Sequence, residues 1–206
     1  MELAWCDLDE LLDFTERMFV FTFRRLVERS SAELLALGRD PAELTRMTAP
    51  FERITYAQAL ERLKKQGLPG EWGTDLGTHE ERALTLERTS PLWVTHFPTE
   101  MKSFYMLRSP NDPKTVEAAD LLAPEGYGEL VGSSCREVDI DRLTERILAV
   151  GGRPYDYEWY LDLRRHGSVP HAGFGIGIER ILRWITRREH IRDTTPFPRT
   201  PARHTP

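Results

Sequence analysis

Apolar residues return every three or four positions between 7 and 30, where Leu8, Leu11, Leu12, Met18, Phe19, Phe23 and Leu26 share a helical stripe. Asp7, with Glu10 three positions on, supplies the reciprocal side-chain caps of a helix start. The pattern predicts a long amphipathic helix over 7–30. A short apolar run at 51–56 predicts a strand passing into a second helix, capped by Thr55 and Gln58 and stopped at Gly67. Residues 68–72, with Pro69 and Gly70 inside, read as a loop, and residues 79–86 as a further helix.

Beyond residue 90 the character changes. Residues 92–97, 103–107, 119–122 and 129–138 are strand-like segments separated by Pro, Gly and Asn, with a turn at 110–113. Residues 142–150 predict a helix ending at Gly151 and Gly152, and residues 155–165 predict another. Residues 172–177 read as a strand feeding a helix from 178 to about 187. The stretch 194–206, rich in Pro, Thr and Arg, reads as an extended surface tail. Strands on short turns with helices gathered at either end predict an α+β fold, with a mainly antiparallel sheet flanked by helices.

Composition narrows this picture without redirecting it. The 206 residues suit one domain with a substantial core, and 40% hydrophobic against 30% charged residues is an ordinary globular balance. The 28 basic and 33 acidic residues leave a net charge of −5, so any nucleic-acid partner would need a local basic surface. Cys6 and Cys135 are the two cysteines, which argues against a disulfide scaffold and suits the cytoplasm. No apolar run approaches 18 residues, so no membrane partner is expected. The six histidines lack zinc spacing.

Gly173, Gly175 and Gly177 recur at a period of two, so in a strand they bare one strip of backbone on one face. Such a strip admits a flat ligand such as adenine, or a second backbone for tight helix–sheet packing. Arg180 then opens a helix, where its guanidinium can reach back toward phosphate or sit in a surface ion pair. The spacing is not that of a GxGxxG fingerprint, and no GxxxxGK[ST] loop occurs.

The company of this strand carries more information. The run from Gly173 to Arg180 resembles motif 3 of class II aminoacyl-tRNA synthetases. Residues 160–173 are similar to the stretch before motif 3 in the asparaginyl branch, and residues 128–137, from Gly128-Glu129 to Arg136-Glu137, resemble its substrate-binding strand. Residues 97–106 and 120–124 match in the same order, and residues 191–201 resemble that branch's closing signature. The resemblance covers essentially the whole chain, 1–206. It implies the C-terminal part of a class II catalytic domain, incomplete at its N-terminus. Motif 1, most of motif 2 with its α-phosphate arginine, and the anticodon-reading OB-fold would lie outside this sequence.

The resemblance also implies roles. Arg180 would contact the terminal phosphate of ATP, and Glu129 would help hold a bridging Mg2+, with Asp120 a further metal candidate. Arg136 would recognise the side-chain end of the amino acid, a function its planar fork of donors suits equally for an amide oxygen or a carboxylate. Tyr105 would share that pocket, Gly175 would flank both amino acid and ATP, and His171 would sense the bound amino acid. Lys102 reads as a solvated lysine within a matched motif. Cys135 stands where the family usually has glutamine, which bears on pocket selectivity.

The implied function is ATP-dependent activation of asparagine and its transfer to tRNA(Asn). The alternatives are a non-ligating module that binds ATP or an amino acid, and an asparagine-synthetase-like relative. Implied partners are ATP, asparagine or aspartate, a tRNA acceptor end, and a homodimer mate or completing chain. The Arg164-Arg165 and Arg187-Arg188 pairs would be tRNA contacts or solvated helix charges.

Overall fold

The computed structural model describes residues 1–203. Six strands form one sheet in the order β1-β6-β5-β4-β3-β2. They are β1 (Glu2–Ala4), β2 (Glu52–Thr55), β3 (Leu92–Thr95), β4 (Ala118–Ala123), β5 (Gly128–Cys135) and β6 (His171–Ile176). All neighbours are antiparallel except β2 and β3. That pair is parallel because the connection between them is long enough to cross over, through helices α3 (Tyr56–Lys65) and α4 (Thr78–Thr85). The remaining helices are α1 (Leu8–Ala36), α2 (Pro41–Thr45), α5 (Ile140–Ala149), α6 (Glu158–Arg165) and α7 (Ile178–Ile185).

The capping signals act as read. Asp7 and Glu10 close the start of α1, and Thr55 and Gln58 close the start of α3, each pair bonding reciprocally. Helix α1 continues past residue 30 to Ala36 across a non-helical residue, Ser30. The 155–165 segment begins as a 3-10 turn at Pro154–Tyr157 before α6. Two elements lie outside the expected ones, β1 and the short α2, the latter started by an Asp40 cap with Pro41 in its first turn.

One expected strand is absent. Residues 103–107 make a turn with an isolated bridge from Met106 to Arg136. Their neighbourhood is held by a buried side chain instead: the Arg146 guanidinium of α5 donates to the carbonyls of Thr99, Lys102 and Met106 at 2.9, 3.0 and 2.5 Å. A 3-10 turn at Ile191–Thr194 leads into the tail, which departs from a plain extended path at paired backbone bonds between Thr200 and Arg203. Its last residues, 204–206, lie outside the described residues.

Alternation along the strands decides where ligands can approach. Ala119, Leu121, Val131, Ala172 and Phe174 face the core formed with Leu11, Phe19 and Phe23 of α1 and Trp184 of α7. The opposite face carries Leu92, Val94, Ala118 and Leu122, covered by Ala59, Leu60 and Leu63 of α3 and Leu84 of α4. That second cover ends before β5 and β6, where the same face presents Gly132, Gly173 and Gly175. A small third cluster of Leu143, Ile147 and Leu161, with Phe104 and Tyr105 against it, ties α5 and α6 to the 103–107 turn.

Candidate functional site

Asp120, Gly132 and Gly175 stand in line across β4, β5 and β6, and Ser134, Gly173 and Glu2 form the next line. The three glycines of β6 and its end behave differently. A Cβ at Gly173 would collide with the Glu2 carboxylate, and one at Gly177 would press on the Arg180 stem at 3.0 and 3.1 Å. One at Gly175 would meet nothing within 4 Å. The bare floor is therefore open at Gly175 and closed at each end by a charged side chain.

At one end, Glu2 forks onto Arg136, with Nη2 donating to Oε1 at 2.8 Å and Nε to Oε2 at 3.2 Å. Arg136 Nη1 donates to the Ser134 hydroxyl at 2.5 Å, and the guanidinium carbon lies 5.2 Å from the Tyr105 ring centre. Of the five N–H donors of an arginine, three are thus engaged and two remain. At the other end, Arg180 Nη1 donates to the Glu129 carbonyl at 2.8 Å and stands 3.6 Å from the Glu129 carboxylate.

The pairing of β4 with β5 explains how Glu129 reaches this face. Leu121 pairs with Val131 but Leu122 with Glu129, leaving Leu130 as an extra residue on β5. In a regular strand residues 129 and 132 would point to opposite sides, and the bulge puts them on the same one. A Cβ on Gly132 would lie 3.3 Å from Glu129 Oε1 and 3.7 Å from Asp120 Oδ1, so both carboxylates overhang it.

Of these groups, Tyr105, Asp120, Glu129, Gly132, Arg136 and Gly175 line a cavity of about 440 Å3, and Glu2 and Arg180 lie outside its lining. Lys102 joins them: its ammonium is 2.5 Å from Asp120 Oδ2 and 3.9 Å from the centre of the Phe97 ring. The expectation of a solvated lysine is corrected, because its side chain is 19% exposed and ion-paired. Burial pushes the Asp120 carboxyl up to about 6 against the pull of Lys102. Burial likewise lifts Glu81 of α4 to about 7, aided by the negative charges of Glu129 and Asp120.

A larger, apolar cavity of about 540 Å3 lies beside the first and shares Arg136 with it. The polar cavity holds the convergent charges and the open glycine floor, so chemistry is assigned there. His171 lines the apolar cavity instead, with Nδ1 2.8 Å from the Val169 carbonyl, although its own carbonyl accepts the Arg136 backbone N–H. Cys135 also lines the apolar cavity, and burial pushes its thiol up to about 12. This chain's departure from the family pattern at Cys135 therefore falls outside the polar cavity.

Two carboxylates over one glycine suit a hard cation completed by phosphate and water oxygens. Among the described residues no three His, Cys, Asp or Glu side chains are grouped to hold a metal by themselves. The paired arginines elsewhere are largely committed. Arg164 donates to the Tyr160 hydroxyl, Arg165 pairs with Glu158 and Asp162, and Arg187 pairs with Glu43 and Glu125. Sequence reading missed Glu2 and Glu81, which come to the site only through the β1–β6 pairing and the packing of α4.

Residues 1–201 match the family model described as tRNA synthetases class II (D, K and N). The asparagine–tRNA ligase of Pyrococcus horikoshii is 48% identical over 203 residues, 98% of this chain and 47% of that relative. The enzyme of the same name from Thermoplasma acidophilum is 43% identical over 205 residues, 100% of this chain and 48% of that one. A crystal structure of the P. horikoshii asparaginyl-tRNA synthetase complexed with asparaginyl-adenylate superposes with a TM-score of 0.96 at 48% identity, covering 100% of this chain and 47% of that one. An aspartyl-tRNA synthetase from Entamoeba histolytica gives a TM-score of 0.86 at 28% identity, covering 100% and 43%. The chain thus spans about half the length of the curated relatives it matches. No helix of the described residues is long and apolar enough to cross a membrane.

Proposed function

The chain belongs to the class II tRNA synthetases of the aspartate, lysine and asparagine group, and from that premise we propose that it forms the ATP- and amino-acid-binding part of an asparagine–tRNA ligase core. The observation that carries this reading is the floor at Gly175, bare above its backbone and bounded by a charged group at each end. The names of the most similar relatives support asparagine as the amino acid.

In this reading the triphosphate end of ATP lies toward Arg180, whose permanent charge neutralises the outer phosphate. Glu129 and Asp120 would hold Mg2+, which when bound supplies charge neutralisation on the phosphates. The amino acid lies toward Tyr105 and Arg136, with His171 at the rim beyond Arg136. The asparagine side-chain oxygen accepts from Arg136, and its amide N–H donates to Glu2. A carboxamide satisfies both partners, whereas an aspartate side chain would set one carboxylate against another. Gly175 leaves room for the two substrates to meet. A carboxylate oxygen of asparagine then attacks the α-phosphorus in line, the bond to the bridging oxygen breaks, and pyrophosphate leaves. The protein's part is to position reactants and neutralise charge. Transfer to the acceptor end of tRNA(Asn), a dimeric or completed assembly, and a cytoplasmic setting belong to the same proposal.

Pyrophosphate exchange into ATP tests it. Exchange that depends on asparagine and not aspartate is the expected result. Aspartate-dependent exchange would move the chain to the aspartyl branch, and saturable ATP binding without exchange for either would leave a binding module. Ammonia-dependent asparagine formation without tRNA would instead mark an asparagine-synthetase-like relative.

A further inference from the structure

Helix α4 contributes a carboxylate to the phosphate end that the reaction itself does not call for. Glu81 reaches from α4 across to β5, where its Oε2 accepts the backbone N–H of Glu129 at 3.1 Å. Among the described residues no Lys, Arg or His forms an ion pair with it, so the Glu81 carboxylate is not placed there by a salt bridge. The backbone makes room for it at Gly128, which has φ +82° and where a Cβ would meet Glu81 Oε2 at 2.8 Å. The next residue along is Glu129, whose carbonyl takes the Arg180 guanidinium at 2.8 Å and whose carboxylate overhangs Gly132. The main chain at Glu129 is thus held on its N–H side by Glu81 and on its C=O side by Arg180.

We propose that Glu81 is a positioning residue for the phosphate end: by anchoring the Glu129 amide it sets the aim of the Glu129 carboxylate and, through the Glu129 carbonyl, of Arg180. The inference rests on the reading of Asp120, Glu129 and Arg180 as the metal and phosphate groups. A strand bulge is the element most in need of such an anchor, because its extra residue interrupts the ladder that would otherwise fix the backbone. Partners that orient a ligating group without touching the metal commonly set its affinity.

Two variants and two readouts test this. Glu81→Ala removes the acceptor, and Glu81→Gln keeps an acceptor oxygen of the same reach without the charge. Binding of Mn2+ in the presence of ATP, followed by the loss of the free-ion electron paramagnetic resonance signal, is expected to weaken roughly tenfold or more in Glu81→Ala and to stay near the unaltered chain in Glu81→Gln. Without any ligand, amide hydrogen exchange at Glu129 is expected to quicken about tenfold or more in Glu81→Ala, while the amides of α1 keep their protection and report an intact fold. Equal Mn2+–ATP binding by Glu81→Ala and the unaltered chain, or unchanged exchange at Glu129, overturns the positioning role alone. A loss in Glu81→Gln as large as in Glu81→Ala would place the effect in the charge and overturn it as well. Failure of the unaltered chain to bind Mn2+ with ATP would overturn the underlying site reading, and the inference with it.

Discussion

Single residues at the site work in pairs whose members come from distant parts of the chain. Glu2 and Arg136 are 134 positions apart and meet through a bidentate contact. In the proposed function the acceptor of the pair, not Arg136, would carry the discrimination between an amide and a carboxylate. Replacing Glu2 by Gln is expected to lower the preference for asparagine over aspartate roughly tenfold, as a repulsive contact becomes a neutral one. The ratio of kcat/KM for the two amino acids in pyrophosphate exchange measures it, and an unchanged ratio would remove Glu2 from the selectivity. Glu81 makes a second residue-scale prediction. Its folded-state carboxyl titrates near 7 instead of the ordinary 4.5, so the native chain holds this proton more tightly than the unfolded one. Stability associated with it is present at low pH and falls as pH rises through that window. Burial is the main cause, the charges of Glu129 and Asp120 add to it, and the Glu129 N–H and Arg180 oppose it. Relative to Glu81→Gln, the unaltered chain should lose thermal midpoint between about pH 5 and 7.5, and parallel profiles for the two would contradict this.

At the scale of elements, the turn at 99–106 shows how a segment with strand-like composition is claimed by something else. Ser103 to Leu107 has the aromatic and apolar content of a strand, but Arg146 takes three of the local carbonyls, including those of Thr99 and Lys102. The turn then delivers Lys102 to Asp120 and Tyr105 to Arg136. Arg146→Ala would remove the shared donor of three part-buried carbonyls, at a cost of about 3 kcal/mol. Arg146→Lys should recover little, since a single ammonium lacks the planar fork. Urea midpoints of the two variants check the first claim. The KM for the amino acid, rising in both, checks that the turn positions the pocket. The β5 bulge is the other decisive element, because it brings Glu129 to the face of Asp120 and Gly132.

Across the whole molecule, one sheet face is sealed by α1 and α7, and the other is sealed over β2 to β4 and left bare over β5 and β6. The site is the uncovered remainder of a two-layer core. Gly175→Ala should therefore leave thermal stability unchanged while weakening ATP binding several-fold, since its Cβ meets no protein atom but stands on the floor proposed for ATP. Gly173→Ala should lower stability, because Glu2 must give way. Calorimetry with and without ATP separates the two, and equal behaviour would erase the distinction between floor and wall.

Much of this was legible in the sequence for local reasons. The capping boxes at Asp7 and Thr55, the helical stripe of α1 and the two-residue period of Gly173, Gly175 and Gly177 depend on neighbours a few positions apart, which any stretch of sequence displays. The motif order placed Tyr105, Asp120, Glu129, Arg136, Gly175 and Arg180 in one family; the first five line one cavity, and Arg180 stands beside it on the Glu129 carbonyl. What only tertiary structure decided were the contacts across strands and layers: Glu2 on Arg136, Lys102 on Asp120, Glu81 under Glu129, and His171 and Cys135 facing the neighbouring cavity. Such pairings follow from register, a bulge and helix packing. Those depend on partners dozens of residues away, and no local pattern encodes them.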